Sequence, residues 1–148
     1  MKNQKICIVG DGLTGLTTAL ALKELNLDID LFYKKNNKNL QNDKRTTALS
    51  QSNYEFLKQI VKRKNFNYLW PCKRISLYYE NKNQYLNFLN YTSKEKNLMY
   101  IFENLKYTNH LLKELKESKK INFINSFIDQ INYKNAFVKF KNKKIIMI

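Results

Sequence analysis

The residues with the clearest chemical role are the only three glycines of the chain, Gly10, Gly12 and Gly15. They follow an apolar run at residues 6–9 and precede a helical pattern. At this spacing the first glycine permits a tight turn, the second lets a pyrophosphate approach the backbone, and the third lets the helix pack close to the strand. The N–H groups that begin the helix then face the phosphates, with the positive end of the helix dipole behind them. The spacing predicts a dinucleotide-binding turn, with a plain strand-to-helix turn as the alternative, formed by Gly10, Asp11, Gly12, Leu13, Thr14 and Gly15.

Few other side chains could act in catalysis or bind a metal ion. The two cysteines, Cys7 and Cys72, lack metal-ligand spacing, and so few cysteines indicate a reducing, cytoplasmic setting. The single histidine, His110, has no obvious serine, cysteine or acidic partner in the sequence and is interpreted as a surface or packing residue. The sequence therefore predicts no metal site and leaves the catalytic residues unknown.

A strand–helix–strand unit must position the glycine turn. Residues 5–9 are almost continuously apolar, which is typical of a central strand in a parallel sheet. Residues 13–25 predict a helix that ends at Asn26, and residues 28–33 predict the second strand. Such a strand usually ends in an acidic residue that accepts the ribose hydroxyls, and here Tyr33 holds that place. Tyr33 either hydrogen-bonds a ribose or merely ends the strand.

A second helix is predicted after residues 44–52, because Tyr54, Leu57, Ile60 and Val61 follow at helical spacing. Arg45 is expected at the start of that helix, where a guanidinium could hold phosphate or ribose oxygens. A third helix, leucine-rich, is predicted from Asn104 to about residue 117.

The remaining pattern is mostly strand-like. Residues 74–79 and 84–89 alternate around a polar turn at 80–83, which predicts a β-hairpin over about residues 73–90 as an excursion from the main sheet. Short strands are predicted at 98–102, 121–124, 127–132, 136–141 and 145–148. The prediction is an α/β domain over residues 1–148, with a Rossmann-like parallel sheet, an inserted hairpin and a β-rich C-terminal segment. Because the chain stops on an apolar run, we expect this domain to be incomplete.

The net charge of +15 bears on possible partners. Only Arg45, Arg63 and Arg74 among the 27 basic residues are arginine, and the lysines are scattered instead of lining one helix face. Arginine is the usual reader of bases and phosphates, so we expect no nucleic-acid partner. The charge is compatible with weak attraction to an anionic membrane surface. No apolar run approaches the roughly 20 residues of a spanning helix, and we expect no signal peptide because a strand is predicted from residue 5.

Four separated segments line up, in order, with one protein family. They are the glycine turn, the Arg45-Thr46-Thr47-Ala48-Leu49-Ser50 segment, Trp70-Pro71-Cys72 before a strand, and Tyr100-Ile101-Phe102-Glu103-Asn104 before the leucine-rich helix. In this combination the chain resembles the N-terminal part of the flavin-dependent aromatic hydroxylases, and among them the ubiquinone-biosynthesis hydroxylases.

The resemblance implies FAD as the cofactor and NAD(P)H as the electron donor. It implies that the three glycines face the pyrophosphate, that Tyr33 lies at the adenosine ribose, and that Arg45 and Asn104 belong to the cofactor site. The implied substrate is an aromatic ring with a polyprenyl chain, handled in the cytoplasm or at the inner face of the membrane.

Two departures from the family pattern qualify this interpretation. Tyr33 replaces the acidic ribose ligand, and the family's later Ala-Asp-Gly and Gly-Asp segments are absent from residues 1–148. The leading hypothesis is therefore the FAD-binding portion of a ubiquinone-pathway hydroxylase, inactive alone. The alternatives are an NAD(P)-dependent dehydrogenase-type Rossmann domain and a non-catalytic remnant.

Overall fold

The computed structural model describes residues 4–33, 43–61, 68–81, 84–126, 128–132, 137–140 and 145–147. Its elements in chain order are β1 (Gln4–Val9), α1 (Leu13–Leu22), β2 (Leu27–Tyr33), β3 (Thr46–Ser50), α2 (Gln51–Ile60), β4 (Leu69–Cys72), β5 (Arg74–Asn81), β6 (Gln84–Thr92), β7 (Met99–Glu103), α3 (Asn104–Lys116), β8 (Ile121–Asn125), β9 (Ile128–Asn132), β10 (Phe137–Phe140) and β11 (Ile145–Met147). The chain divides into two compact units. The first combines Met1–Asp43 with Leu105–Ile148, and the second is Lys44–Asn104.

The first unit contains a parallel sheet with the order β1-β2-β8. Its middle strand is the most deeply buried, with Ile29, Leu31 and Phe32 at most 2% exposed. The prediction that the first strand is central was wrong for the described residues, because β1 lies at one end of this order and Val9 is 54% exposed. An apolar run indicates that a strand is at least partly buried, but it does not show which strands lie on either side of it in the sheet.

The helices of the first unit bury apolar stripes. In α1, Leu16, Ala19 and Leu20 are fully buried. The helix ends at Leu22, earlier than predicted, because the backbone N–H of Leu25 bonds to Leu22 in a tighter turn. In α3, the buried residues are Tyr107, Thr108, Leu111, Glu114 and Leu115, whereas two other leucines of this helix, Leu105 and Leu112, are only half-buried.

The second unit contains an antiparallel sheet with the order β3-β7-β4. Residues 46–50, expected to lead into a helix, form β3 with alternating exposure and full pairing with β7. Arg45 therefore precedes a strand, and the prediction that it begins a helix was wrong. The helix α2 starts at Gln51, where the Ser50 hydroxyl accepts a hydrogen bond from the N–H of Asn53.

Two further sheets complete the described structure. The predicted hairpin is present as the antiparallel pair β5–β6, and its strands extend into the residues expected to form the turn. In the first unit, β9, β10 and β11 form an antiparallel sheet near the C-terminus. The strand β8, predicted as part of that segment, instead joins the parallel sheet beside β2. The architecture is thus mixed α/β, with one parallel sheet and three antiparallel ones.

Candidate functional site

The glycine turn lies at the carboxyl end of β1. The N–H of Gly10 donates to the carbonyl oxygen of Phe32 at 2.8 Å, which ties the turn to β2. Gly12 is the N-cap of α1, and its carbonyl accepts the first helical bond from the N–H of Leu16 at 3.0 Å. A glycine cannot cap the helix through a side chain, and the first N–H groups of any helix lack acceptors within it. The turn therefore presents backbone donors suited to an anion.

Within the chain, steric constraints require glycine at two of the three positions, Gly10 and Gly15. Gly10 has a φ of +107°, a conformation that side chains with a Cβ rarely adopt. A Cβ on Gly15 would collide with the carbonyl oxygen of Gly10 and lie 3.1 Å from the carbonyl carbon. Gly12 has an ordinary φ of −72°, and a Cβ there would meet nothing within 4 Å. Neither strain nor packing in the chain thus requires glycine at position 12.

The other predicted residues of the turn lie around this open space. Gly12 and Thr14 are exposed, whereas Asp11 and Leu13 are half-buried. Tyr33 follows Phe32 at the carboxyl end of β2, beside the turn, and its ring packs edge-to-face on Phe123 with centroids 6.4 Å apart. The structure therefore brings Tyr33 and the glycine turn to the same end of the parallel sheet, which is where ligands bind in open α/β sheets.

Arg45 and Asn104 meet in the second unit. The backbone N–H of Asn104 donates to the carbonyl oxygen of Arg45 at 3.0 Å. The Thr47 hydroxyl donates to the Asn104 side-chain oxygen at 2.7 Å. These two bonds hold Asn104 against the start of β3, and the Arg45 side chain is exposed. The two family-like segments that contain Arg45 and Asn104 are thus neighbours in the fold.

A buried charged cluster in the first unit escaped sequence reasoning. The Lys23 ammonium lies 2.8 Å from a carboxylate oxygen of Glu114, and these side chains are only 6% and 2% exposed. The other carboxylate oxygen lies 3.8 Å from Nε2 of His110. The expectation that His110 lacks an acidic partner was wrong, and its spacing of four residues from Glu114 on one helix was the available signal. This cluster joins α1 to α3.

A second buried carboxylate holds the parallel sheet together. Asp30 on β2 is 3% exposed, lies 2.9 Å from the Lys5 ammonium, and accepts a hydrogen bond from the Asn122 side chain at 3.2 Å. Lys5 is on β1 and Asn122 on β8, so Asp30 connects all three strands. These two contacts anchor β1 and β8 to the middle strand.

The two cysteines lie in different surroundings. Burial raises the pKa of Cys7 to about 11, the Asp30 charge adds to the increase, and Lys5 partly opposes it. Cys7 is therefore protonated at neutral pH. The Cys72 thiol donates to the carbonyl oxygen of Arg74 at 3.1 Å. Among the described residues, no group of three or more His, Cys, Asp or Glu side chains could hold a metal ion.

Comparisons with known proteins give a fold likeness without a close relative. No protein-family model matches the chain, and no curated protein matches it. Among solved structures, the tetrameric form of 2-methyl-3-hydroxypyridine-5-carboxylic acid oxygenase has a TM-score of 0.75 and 16% identity, covering 99% of this chain and 38% of that one. PqsL of P. aeruginosa, in complex with 2-aminobenzoylacetate, has a TM-score of 0.73 and 10% identity, covering 98% of this chain and 40% of that one.

A third solved structure agrees with these two. The p-nitrophenol 4-monooxygenase PnpA from Pseudomonas putida DLL-E4 has a TM-score of 0.66 and 14% identity, covering 93% of this chain and 36% of that one. Two of these neighbours are by name an oxygenase and a monooxygenase, and the chain resembles all three in fold. It spans less than half of the length of each. In the described part of the chain, no helix is long and apolar enough to cross a membrane.

Proposed function

We propose that residues 1–148 form the FAD-binding portion of a flavoprotein monooxygenase that hydroxylates a small aromatic substrate. Support comes from the fold likeness to FAD-dependent monooxygenases and from the geometry of the glycine turn. Because the chain spans only 36–40% of those proteins, we propose that it is inactive without the remainder of the fold.

One observation carries the proposal, and it concerns Gly12. Its backbone conformation suits any residue, and the space that a Cβ would fill is open. In a chain with only three glycines, a glycine required by neither strain nor packing is best explained by close approach of a ligand. The adjacent helix start offers N–H donors and a positive dipole, so the ligand would be an anion such as a pyrophosphate.

Each proposed site residue has a role that its position permits. The backbone of Gly10, Asp11, Gly12, Leu13, Thr14 and Gly15 would surround the pyrophosphate of FAD. The Tyr33 hydroxyl would donate to or accept from the adenosine ribose in place of a carboxylate. In the second unit, we propose that the exposed Arg45 guanidinium contacts the cofactor and that Asn104 holds the Arg45 backbone in position.

When bound, FAD would supply the redox chemistry, and NAD(P)H would be the electron donor. The chain's own contribution would be to bind and orient the adenine half of the cofactor. The most specific form of the proposal concerns the substrate. The four family-like segments support a ubiquinone-pathway enzyme that acts on a polyprenylated aromatic ring at the inner face of the membrane.

Nucleotide titration of the purified chain tests the proposal. We expect it to retain FAD, and we expect Gly12→Ala to weaken FAD binding at least tenfold because the added methyl group fills the space of the phosphate. The free energy of unfolding of that variant should fall by no more than about 1 kcal/mol, since this is the usual effect of an alanine at a helix N-cap. The control is Thr18→Ala, an exposed change on α1 beyond the first turn that should leave FAD affinity unchanged.

The rival functions give different results in the same titration. Binding of NAD(P) but not FAD would establish the dehydrogenase-type alternative, for which the same glycine turn would serve. Binding of neither nucleotide by a folded chain would favour a non-catalytic remnant and refute the proposal.

A further inference from the structure

A carboxylate lies within the glycine turn. Asp11 stands between Gly10, whose φ is +107°, and Gly12, the N-cap of α1, and its side chain is half-buried. The N–H groups of a helix start and the helix dipole attract negative charge. A ligand that carries phosphate groups would therefore share this positive field with the charge of Asp11.

The backbone limits how far apart the two charges can be. Consecutive Cα atoms are about 3.8 Å apart, so the Asp11 carboxylate would lie about 8 Å, and at most about 10 Å, from a phosphate bound to the N–H of Gly12. This limit holds for every rotamer of the Asp11 side chain. The separation is no greater than the Debye length of about 10 Å at an ionic strength of about 0.1 M, so the repulsion between the charges is only partly screened.

The Asp11 charge is not neutralised by a described ion pair. The buried carboxylates Asp30 and Glu114 each pair with a lysine, whereas none of the ion pairs between described residues includes Asp11. At the end of β2, where folds of this kind place an acidic ribose ligand, the chain has the neutral Tyr33. The acidic charge of the proposed site therefore lies at its phosphate end.

We propose that Asp11 makes the glycine turn select the pyrophosphate of a dinucleotide over a terminal phosphate group. Each phosphate of a dinucleotide is a diester with a single charge, whereas a terminal phosphate carries a charge of about −2 at pH 8, because its second pKa is about 6. Asp11 repels both, and it repels the more highly charged group more strongly. The turn thus admits FAD and disfavours ADP, which has the same adenine end. This inference rests on the proposed function only in requiring that the turn bind a phosphate ligand.

Coulomb's law gives the size of the effect. At about 8 Å, with an effective dielectric constant of roughly 40 and an ionic strength of about 0.01 M, each ligand charge changes the affinity about fourfold. The two charges of the FAD pyrophosphate then give about fifteenfold, and the additional charge of ADP increases this further. At an ionic strength of about 0.15 M, screening reduces the effect on FAD to about fourfold.

Titration calorimetry of the purified chain with FAD and with ADP, at pH 8 and low ionic strength, tests the role of Asp11. Asp11→Asn removes the charge at nearly constant volume, and it should raise the affinity about fifteenfold for FAD and at least about thirtyfold for ADP. Asp11→Glu keeps the charge and should stay within about threefold of the wild-type chain. The gain of Asp11→Asn for FAD should fall to about fourfold at an ionic strength of about 0.15 M, which a purely structural effect of the substitution would not do.

Asp28 provides a matched control. It is an exposed aspartate near the start of β2, opposite Lys5, whereas the turn is bonded to Phe32 at the other end of that strand. Asp28 and Phe32 are separated by about 13 Å along the strand, so Asp28→Asn removes the same charge at a greater distance from the turn. It should change either affinity less than about twofold.

Three results would overturn the proposal for Asp11. They are equal FAD affinities of the wild-type chain and Asp11→Asn, equal gains of that variant for FAD and ADP, or a gain that does not change with salt. Circular dichroism establishes that each variant is folded, and Asp11→Ser, which removes the same charge, replaces Asp11→Asn if the latter is not.

Failure of this inference is distinguishable from failure of the proposed function. FAD binding by the wild-type chain without a gain in Asp11→Asn would refute the role of Asp11 and leave the proposed function standing. Binding of NAD but not FAD would refute the proposed function, and the same comparison made with NAD and ADP would then decide the role of Asp11. Binding of none of these ligands by the wild-type chain or by Asp11→Asn would refute both.

Discussion

The buried pair Lys23–Glu114 offers the sharpest test of the fold that supports the glycine turn. Lys23 is the C-cap residue of α1, the helix whose other end forms the turn, and Glu114 lies on α3. Their charged atoms are 2.8 Å apart, with 6% and 2% of each side chain exposed. Replacing Glu114 by Leu would leave an ammonium group buried without its carboxylate.

The expected cost follows from that burial. Removing one member of a buried ion pair costs about 3–5 kcal/mol, because the remaining charge keeps its desolvation penalty. This is a large part of the roughly 5–15 kcal/mol that stabilises a typical domain. Lys23→Met should cost a similar amount. The double variant, Lys23→Met with Glu114→Leu, should recover to within about 2 kcal/mol of the wild-type chain, since two apolar side chains can pack where the pair was.

Urea unfolding followed by circular dichroism measures these differences. The control is Glu55→Leu, because Glu55 accepts a 2.8 Å hydrogen bond from Gln51 on an exposed face of α2, and its loss should cost less than about 1 kcal/mol. The reasoning is refuted if Glu114→Leu is as mild as Glu55→Leu, or if the double variant loses the sum of the two single losses.

Two further predictions concern the glycine turn and the first strand. Gly15→Ala should lose at least about 1–3 kcal/mol in the same unfolding assay, because its methyl group collides with the Gly10 carbonyl and forces α1 away from the turn. Cys7 should react slowly with iodoacetamide at pH 8, and faster as the pH approaches the pKa of about 11. Since the thiol's ordinary pKa is 9.0, its ionisation favours the unfolded state, and the free energy of unfolding should fall as pH rises from about 9 to 11.

Each of these predictions has its own control. Gly15→Ala is compared with Gly12→Ala, whose methyl group meets no atom of the chain within 4 Å, and equal losses for the two would contradict the packing argument. For Cys7, mass spectrometry identifies the labelled site, and Cys7→Ser removes its signal. Rapid labelling of Cys7 in the folded chain at pH 8 would show that the thiol is not held in its protonated form.

Local pattern was sufficient for the elements near the N-terminus. The spacing of three glycines after an apolar run identified β1, the turn and α1. A positive φ or a close approach of the backbone requires glycine at one particular position, so the residue type alone indicates it. The alternation of apolar and polar residues likewise identified the hairpin. The alternation did not show which residues of β6 share a face, because the register of the pair shifts by one residue between Leu77 and Tyr78.

The pairing of strands that are distant in the chain could not be predicted from the sequence. Residues 46–50 have no strong strand pattern alone, and they became β3 because β7 supplies hydrogen-bond partners some fifty residues away. The sequence pattern around β8 also could not predict that this strand pairs with β2, since the order of strands in a sheet depends on which apolar faces cover one another.

The charged cluster likewise separates what the sequence predicts from what the tertiary structure decides. Lys23, His110 and Glu114 lie in segments predicted as helices, and exposure is the usual state of charged residues on a helix. Only the tertiary fold brought Lys23 and Glu114 together, because it places α1 beside α3 and buries both side chains. The glycine turn was therefore predictable from the local sequence, while the contacts that hold its helix in place came from packing between residues about ninety positions apart.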